Sequence, residues 1–288
     1  MSPTMPTSNT LSARLLDLTS PLQLLLYSLL YLPITILSHP TLLLTNPHKF
    51  QSLWFGALWK FLGPQMALSP EQTPYIAGLF TRAQGTVLEL GPGNGDQMRH
   101  LVNAVREGRV ERVVGAEPNA ALHERLLGNA RGVGLNPGQG KYVVLEAGAE
   151  PGSLIPALHR VGMYPSSSSS AGAGAAEGIF DTIICIKSMC SAPQHQMPEI
   201  VSTIHALLKP GGEFLFFEHV ANDNDLLTRV WAWLLGWIWP IAMGNCHLNG
   251  RVDKAVKESG LFESCDVRNT KEFMGWNVFR YVVGVCRK

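Results

Sequence analysis

The stretch V87-L-E-L-G-P-G-N-G-D96 places three glycines within five positions, directly after an apolar run. Bare backbone at the end of a strand usually serves a ligand or a tight turn. A phosphate-cradling Walker loop needs GxxxxGK[ST]. Here Asp96 and Gln97 stand where the second glycine and the lysine belong. A dinucleotide fingerprint is GxGxxG, and the third glycine arrives one residue early, as Gly91-Pro-Gly93-Asn-Gly95. A pyrophosphate also seeks helix N-terminal amides free of nearby carboxylates, whereas Glu89 precedes this loop and Asp96 follows it. The pair instead suits a ligand with a cationic centre. Glu117, 26 residues after Gly91, sits where an acid accepts ribose hydroxyl hydrogen bonds in either kind of nucleotide site.

Outward from the loop, strand and helix patterns alternate. Strands are predicted at 86–91, 112–117, 141–147, 180–188 and 213–220. Helices are predicted at 96–106, 119–130, 152–162 and 195–208, the last ending at Lys209-Pro210-Gly211-Gly212. Strands of this apolar density, separated by helices, imply an α/β domain with a parallel sheet covered on both faces. Residues 263–288 supply two more strands in a terminal hairpin, one of them antiparallel. Residues 165–178, a serine/alanine/glycine run, are expected to form a solvent-exposed insertion before the fourth strand.

Composition narrows the partners. Of 288 residues, 46% are apolar and the net charge is +1, so bulk electrostatics give no nucleic-acid footprint. The cysteines Cys185, Cys190, Cys246, Cys265 and Cys286 show neither CxxC nor zinc-ligand spacing. No metal is expected, and an odd, scattered set favours thiols in a reducing compartment over a disulfide framework.

Two regions read as membrane-active. Residues 1–46 form an N-terminal hydrophobic helical segment ahead of a domain spanning 47–288. Leu22 to Leu37 holds no charge, but at 16 residues it is short of the ~20 that span a bilayer, and Pro33 lies inside it. Apolar side chains crowd every face, which points to a kinked anchor, a shallow hairpin or an interfacial helix. The competing reading is a helix packed on the domain. Residues 226–243 hold four of the seven tryptophans, Trp231, Trp233, Trp237 and Trp239, and read as a membrane patch, the roof of a greasy pocket, or an ordinary buried helix.

Four motifs in order, E89-L-G-P-G-N-G95, G115-A-E-P-N119, F180-D-T-I-I-C-I186 and L207-L-K-P-G-G-E-F214, resemble the class I S-adenosylmethionine-dependent methyltransferases. The resemblance covers about residues 70–288 and implies a Rossmann-like, mostly parallel seven-stranded sheet with a terminal antiparallel strand. It implies that Glu89, Gly91, Gly93 and Gly95 line the methionine side of the cofactor. Glu117 would hold the ribose hydroxyls with Pro118 and Asn119 beside it, Ala149 and Glu150 the adenine edge, and Ile186, Lys187 and Ser188 would face cofactor and substrate. F216-F-E-H-V220, the tryptophan-rich stretch and G244-N-C-H-L-N-G-R251 are similar to the methyltransferase-like type 7 group. That group comprises membrane-associated enzymes of the endoplasmic reticulum and lipid droplets that methylate small lipophilic thiols. This likeness implies a cytosolic-face membrane location and a small lipophilic acceptor. The chain departs from the group at the serine/alanine insertion and at Glu117, where aspartate is usual. The wider family includes secondary-metabolism enzymes that methylate oxygen.

Methyl transfer from a sulfonium is an in-line displacement that depends on alignment. A thiolate needs little further activation, whereas a hydroxyl needs a base. His219 at the end of the fifth strand is the first candidate, His247 the second and His195 the third. Glu218 alternates with His219, so only one of them faces the pocket. Cys190 is expected to line it. A nicotinamide-dependent oxidoreductase is disfavoured by the missing GxGxxG. A catalytically silent membrane protein that keeps the fold would fail to bind S-adenosylmethionine.

Overall fold

In the computed structural model, which describes residues 11–164 and 178–288, the chain forms one α/β sandwich preceded by helices. The predicted insertion at 165–178 falls almost wholly outside the described residues. In chain order the elements are α1 (Leu11–Ser38), α2 (Leu42–Thr45), α3 (Pro47–Ala67), α4 (Thr73–Phe80), β1 (Gly85–Leu90), α5 (Val102–Arg106), β2 (Val110–Ala116), α6 (His123–Gly132), β3 (Tyr142–Leu145), α7 (Pro151–Arg160), β4 (Phe180–Ile186), α8 (Met197–Leu207), β5 (Leu208–Val220), α9 (Leu226–Leu235), α10 (Trp239–Ala242), α11 (Val252–Ser259), β6 (Ser264–Asn269) and β7 (Arg280–Arg287).

The seven strands run in the order β3-β2-β1-β4-β5-β7-β6. β1 to β5 pair in parallel, and β7 pairs antiparallel with both β5 and β6, as the hairpin reading predicts. The order reverses between β1 and β4, so the glycine loop after β1 lies at the topological switch point, where open α/β sheets bind ligands. The apolar strands are buried because both faces are covered. Leu88, Leu90, Ile183, Phe214 and Phe216 pack beneath α7, α8 and α11. Val87, Val113, Ile184, Leu215 and Phe217 pack beneath α4 and α6. The Lys209-Pro210-Gly211-Gly212 run, expected to end the preceding helix, is drawn into β5. Its extra residues fall where the register jumps from Phe180↔Leu208 to Thr182↔Glu213.

Two expectations need correction. Cys265 and Cys286 are joined as a disulfide, because the hairpin register sets them directly opposite each other despite 21 residues of separation. Linear spacing does not reveal that pairing. And α1 is not apolar all round. It runs unbroken for 28 residues with Pro21 and Pro33 inside it. Its buried positions, Ala13, Asp17, Pro21, Ser28 and Thr35, form a small and polar stripe at helical spacing.

That stripe faces the protein. Arg14 donates to both carboxylate oxygens of Asp225 at 2.6 and 2.7 Å, and Asp17 accepts the Val278 N–H at 2.7 Å. The Ser28 hydroxyl donates to the Ala242 carbonyl at 2.7 Å, while Trp54 and Trp231 donate their indole N–H groups to the Ser28 and Leu18 carbonyls. Leu24, Leu25 and Leu32 also pack inward, while other apolar side chains are turned the other way. Leu15, Leu26, Leu30, Ile34 and Leu37 are each more than half exposed, as are Trp233, Trp237 and Ile241 on the neighbouring 226–243 stretch. Within that stretch Trp239 points inward and is fully buried, so the patch serves both outside and core.

Candidate active site

A cavity of about 410 Å³ opens at the carboxyl ends of the parallel strands, within the size range of small-ligand sites. The strand order divides it. The ends of β2 and β3 bring Glu117, Pro118, Asn119, Ala149 and Glu150 to one side of the glycine loop. The ends of β4, β5 and β7 bring Ile186, Lys187, Cys190, His219 and Tyr281 to the other.

The loop is shaped by close approach. Gly91 and Gly93 have φ of +63° and +59°, a left-handed conformation that side-chain-bearing residues rarely adopt. A Cβ on Gly91 would lie 2.3 Å from Ser188 Cβ, and one on Gly93 would lie 2.7 Å from Trp59 Nε1. The loop therefore presents bare backbone to the cavity and is fixed from both sides. Gly93 donates its N–H to Glu117 Oε2, and Asn119 donates its N–H to Glu117 Oε1, each at 2.8 Å. These two bonds aim the carboxylate while leaving each oxygen a further lone pair. Burial raises the Glu117 carboxyl above the ordinary range, against the pull of those N–H groups and His123.

Two residues assigned to the methionine side stand elsewhere. Glu89 is buried behind the loop and does not line the cavity. Burial, reinforced by the charge of Glu117, pushes its carboxyl up to about 8, so it is largely neutral near neutrality. Gly95 turns its Cα toward Leu126 and Met98 in the core. The acidic groups that line the cavity on this side are Glu117, Asp96 and Glu150.

Residues 186–190 form the far wall. Lys187 has φ +55°, uncommon outside glycine, and its ammonium donates to Gln72 Oε1 at 3.0 Å. Desolvation pushes it down to about 8, against the opposing charge of Glu218. Glu218 and His219 split as alternation requires. Glu218 is buried in the sheet, where its Oε1 accepts the N–H groups of Ser188 and Met189 at 2.6 and 2.9 Å and holds this turn in place. His219 faces the cavity. Burial opposes its protonation, but the Cys190 thiol and Glu218 outweigh that and leave it above its ordinary value. His247 and His195 do not reach the cavity. The backbone N–H of His247 donates to the Cys190 carbonyl at 2.9 Å, and His195 is exposed.

Sequence reasoning missed two features. The first is α3, which contributes Gln51, Ser52, Phe55, Trp59, Leu62 and Met66 to the wall. It is tied to the loop region by Asn94 Nδ2 donating to the Trp59 carbonyl at 2.8 Å and Asn119 Nδ2 to the Ser52 carbonyl at 2.7 Å. Its density of Trp and Phe was the available signal. The second is the meeting of His219 with Cys190 and Cys246. His219 Nε2 lies 3.1 Å from Cys246 Sγ, beside an apolar wall of Trp239, Met243 and Phe279.

Comparison with known proteins agrees with the fold. A family model described as a methyltransferase domain matches residues 66–249. Human thiol S-methyltransferase TMT1A is 26% identical over 105 residues, 36% of this chain and 42% of that protein. Rat thiol S-methyltransferase TMT1B is 25% identical over 88 residues, 31% and 35% of the two chains. The matched stretch thus spans less than half the length of these curated relatives. Among solved structures, an O-methyltransferase family protein from Burkholderia thailandensis superposes with a TM-score of 0.53 at 14% identity, over 82% of this chain and 59% of that one. At that identity the likeness is one of fold.

Proposed function

The chain belongs to the methyltransferase-domain family, and on that premise we propose that it transfers a methyl group from S-adenosylmethionine to the sulfur of a small lipophilic thiol at a membrane surface. The observation that carries the cofactor assignment is the cradle of Gly91, Gly93 and Glu117. It combines backbone too close for any side chain, an aimed carboxylate with free lone pairs, and no phosphate-binding lysine.

When bound there, the cofactor supplies an electrophilic methyl on a sulfonium. Glu117 accepts the ribose hydroxyls, Gly91 and Gly93 admit the methionine portion, and Ala149 and Glu150 border the adenine edge. Asp96 adds negative potential on the same side. The β4 and β5 ends, with Trp239, Met243 and Phe279, enclose the acceptor in an apolar chamber and exclude water, so alignment supplies most of the acceleration. His219 is the residue placed to hold or take the acceptor's proton. The thiol S-methyltransferase activity of the relatives supports sulfur as the acceptor atom.

The membrane reading is an interfacial one. A helix pinned along its length by bonds at Arg14, Asp17 and Ser28 lies along the domain, while Leu15, Leu26, Leu30, Leu37, Trp233 and Trp237 face outward. That arrangement suits a chain lying in a headgroup layer, on the cytosolic face of the endoplasmic reticulum or a lipid droplet, more than one crossing a bilayer. Calorimetric titration of S-adenosylmethionine and S-adenosylhomocysteine into the full chain in detergent tests the assignment. Saturable binding of both supports it, and a well-folded protein that binds neither would leave a silent scaffold.

A further inference from the structure

Cys190, His219 and Cys246 come from three separate segments: the turn after β4, the end of β5, and the loop after α10. They are far apart in sequence, yet one ligand atom from each lies within 4.8 Å of the others. All three line the acceptor side of the cavity. The nitrogen turned toward the thiols is His219 Nε2, 3.1 Å from Cys246 Sγ. Cys190 and His219 are buried, and the backbone around them is held. The Cys190 carbonyl accepts the His247 N–H, and Glu218 fixes the turn leading to Cys190. Two thiols and an imidazole form a soft donor set of the kind that selects zinc over hard cations. Structural zinc sites close four protein ligands around the ion, whereas three protein ligands beside a cavity leave a fourth position for water or substrate.

We propose that Cys190, His219 and Cys246 bind a zinc ion whose fourth position takes the sulfur of the acceptor thiol. This rests on the thiol-methyltransferase reading and gives its means of activation, with His219 serving as a zinc ligand in place of taking the acceptor's proton itself. A thiol that coordinates zinc is deprotonated outright, so binding releases the S–H proton to solvent. The coordinated sulfur then donates a lone pair to the methyl carbon. The bond from that carbon to the sulfonium breaks, and its electron pair stays on the departing S-adenosylhomocysteine. The new thioether is neutral, a weaker ligand than the thiolate, and leaves the ion. Two protein thiolates and an acceptor thiolate around Zn²⁺ carry one net negative charge, which attracts the cationic cofactor and disappears as the methyl moves. The apolar wall of Trp239 and Phe279 strengthens that attraction by excluding water.

The test uses the full chain in detergent, purified without chelator and then titrated with Zn²⁺. Metal analysis after desalting is expected to give about one zinc per chain, falling to background in Cys190→Ser, Cys246→Ser and His219→Ala. Replacing zinc with Co²⁺ is expected to give a thiolate-to-cobalt charge-transfer band in wild type that adding an alkyl thiol perturbs. S-adenosylmethionine binding is expected to persist in the variants, which also shows that they fold. Wild type that binds the cofactor but retains no zinc, or whose Cys190 and Cys246 prove to be joined as a disulfide, would overturn the zinc site and leave the methyltransferase reading intact. Zinc retained by wild type that binds no S-adenosylmethionine would remove that reading and, with it, the thiol-activating role.

Discussion

The carboxylate of Glu117 at the end of β2 accepts the N–H of Gly93 at 2.8 Å, which locks that acid to the glycine loop of β1. Glu117→Ala removes the proposed acceptor of two ribose hydroxyls and frees the loop. A hydrogen bond to a charged group is worth about 1.5–3 kcal/mol, so cofactor affinity is expected to fall at least about tenfold. Glu117→Gln is expected to be nearly as weak, because its NH₂ would meet the N–H of Gly93 or Asn119. The raised carboxyl of Glu117 also sets a pH dependence. Its acceptor form is lost as pH falls through that raised value, so affinity drops at a higher pH than an ordinary glutamate would give. Thermal-shift titrations across pH check both points.

Gly91 approaches Ser188 so closely that the two positions form a unit. Gly91→Ala adds a clash with Ser188 Cβ and puts a side chain on a left-handed residue, which costs about 1–2 kcal/mol before any clash. The expected result is a lower melting temperature and lost cofactor binding. Gly91→Ala with Ser188→Gly relieves the clash and is expected to restore part of the melting temperature. A double variant no better than the single one would show that the contact is not what excludes side chains here.

Glu89 gives a stability signature. Its folded value near 8 exceeds its unfolded value near 4.5. Folding therefore takes up a proton, and stability is greatest below the unfolded value and is lost as pH rises through the folded one. The slope approaches about 1.4 kcal/mol per pH unit between them. Glu89→Gln is expected to flatten denaturant midpoints across that window and to be more stable than wild type above pH 8. Unchanged slopes would mean that Glu89 is ionised in the folded chain.

Much of this architecture was legible in the sequence, because β1 to β5 are short apolar runs broken by helical periodicity and turn residues. Glu117, Gly91, Gly93, Ala149, Glu150 and Lys187 were legible too, since each follows a strand whose end the sheet topology places at one edge. Glu89 misled for the same reason. Its distance from the loop was readable, but strand alternation and the bulk of Tyr142 behind it decide that it faces the core. The Cys190–His219–Cys246 cluster was not legible, because it depends on how the loop after α10 folds back over β4. The polar stripe of α1 was masked by its leucines. Asp17 and Ser28 acquire meaning only once their partners Val278 and Ala242, more than two hundred residues later, are in place.

That stripe separates anchoring from folding. Replacing Leu26, Leu30, Ile34, Trp233 and Trp237 with glutamine is expected to abolish co-sedimentation with vesicles while leaving the melting temperature within a few degrees, since these side chains face outward. Asp17→Ala strands the buried Val278 N–H and is expected to cost about 1–3 kcal/mol of stability, measured by denaturant unfolding. Deleting residues 1–46 would confound the two, because it uncovers the apolar cluster of Phe50, Trp54, Leu235 and Trp239.

The most direct test of methyl transfer to sulfur supplies the full chain in detergent with S-adenosylmethionine deuterated on its methyl group and a panel of alkyl and aryl thiols, with alcohols, phenols and carboxylic acids of matched skeleton alongside. The products are read by mass spectrometry. The expected result is a deuteromethyl thioether formed in step with S-adenosylhomocysteine, with wild type far above Glu117→Ala. A folded protein that binds the cofactor and leaves every thiol unmethylated, or that labels only oxygen, would contradict the account.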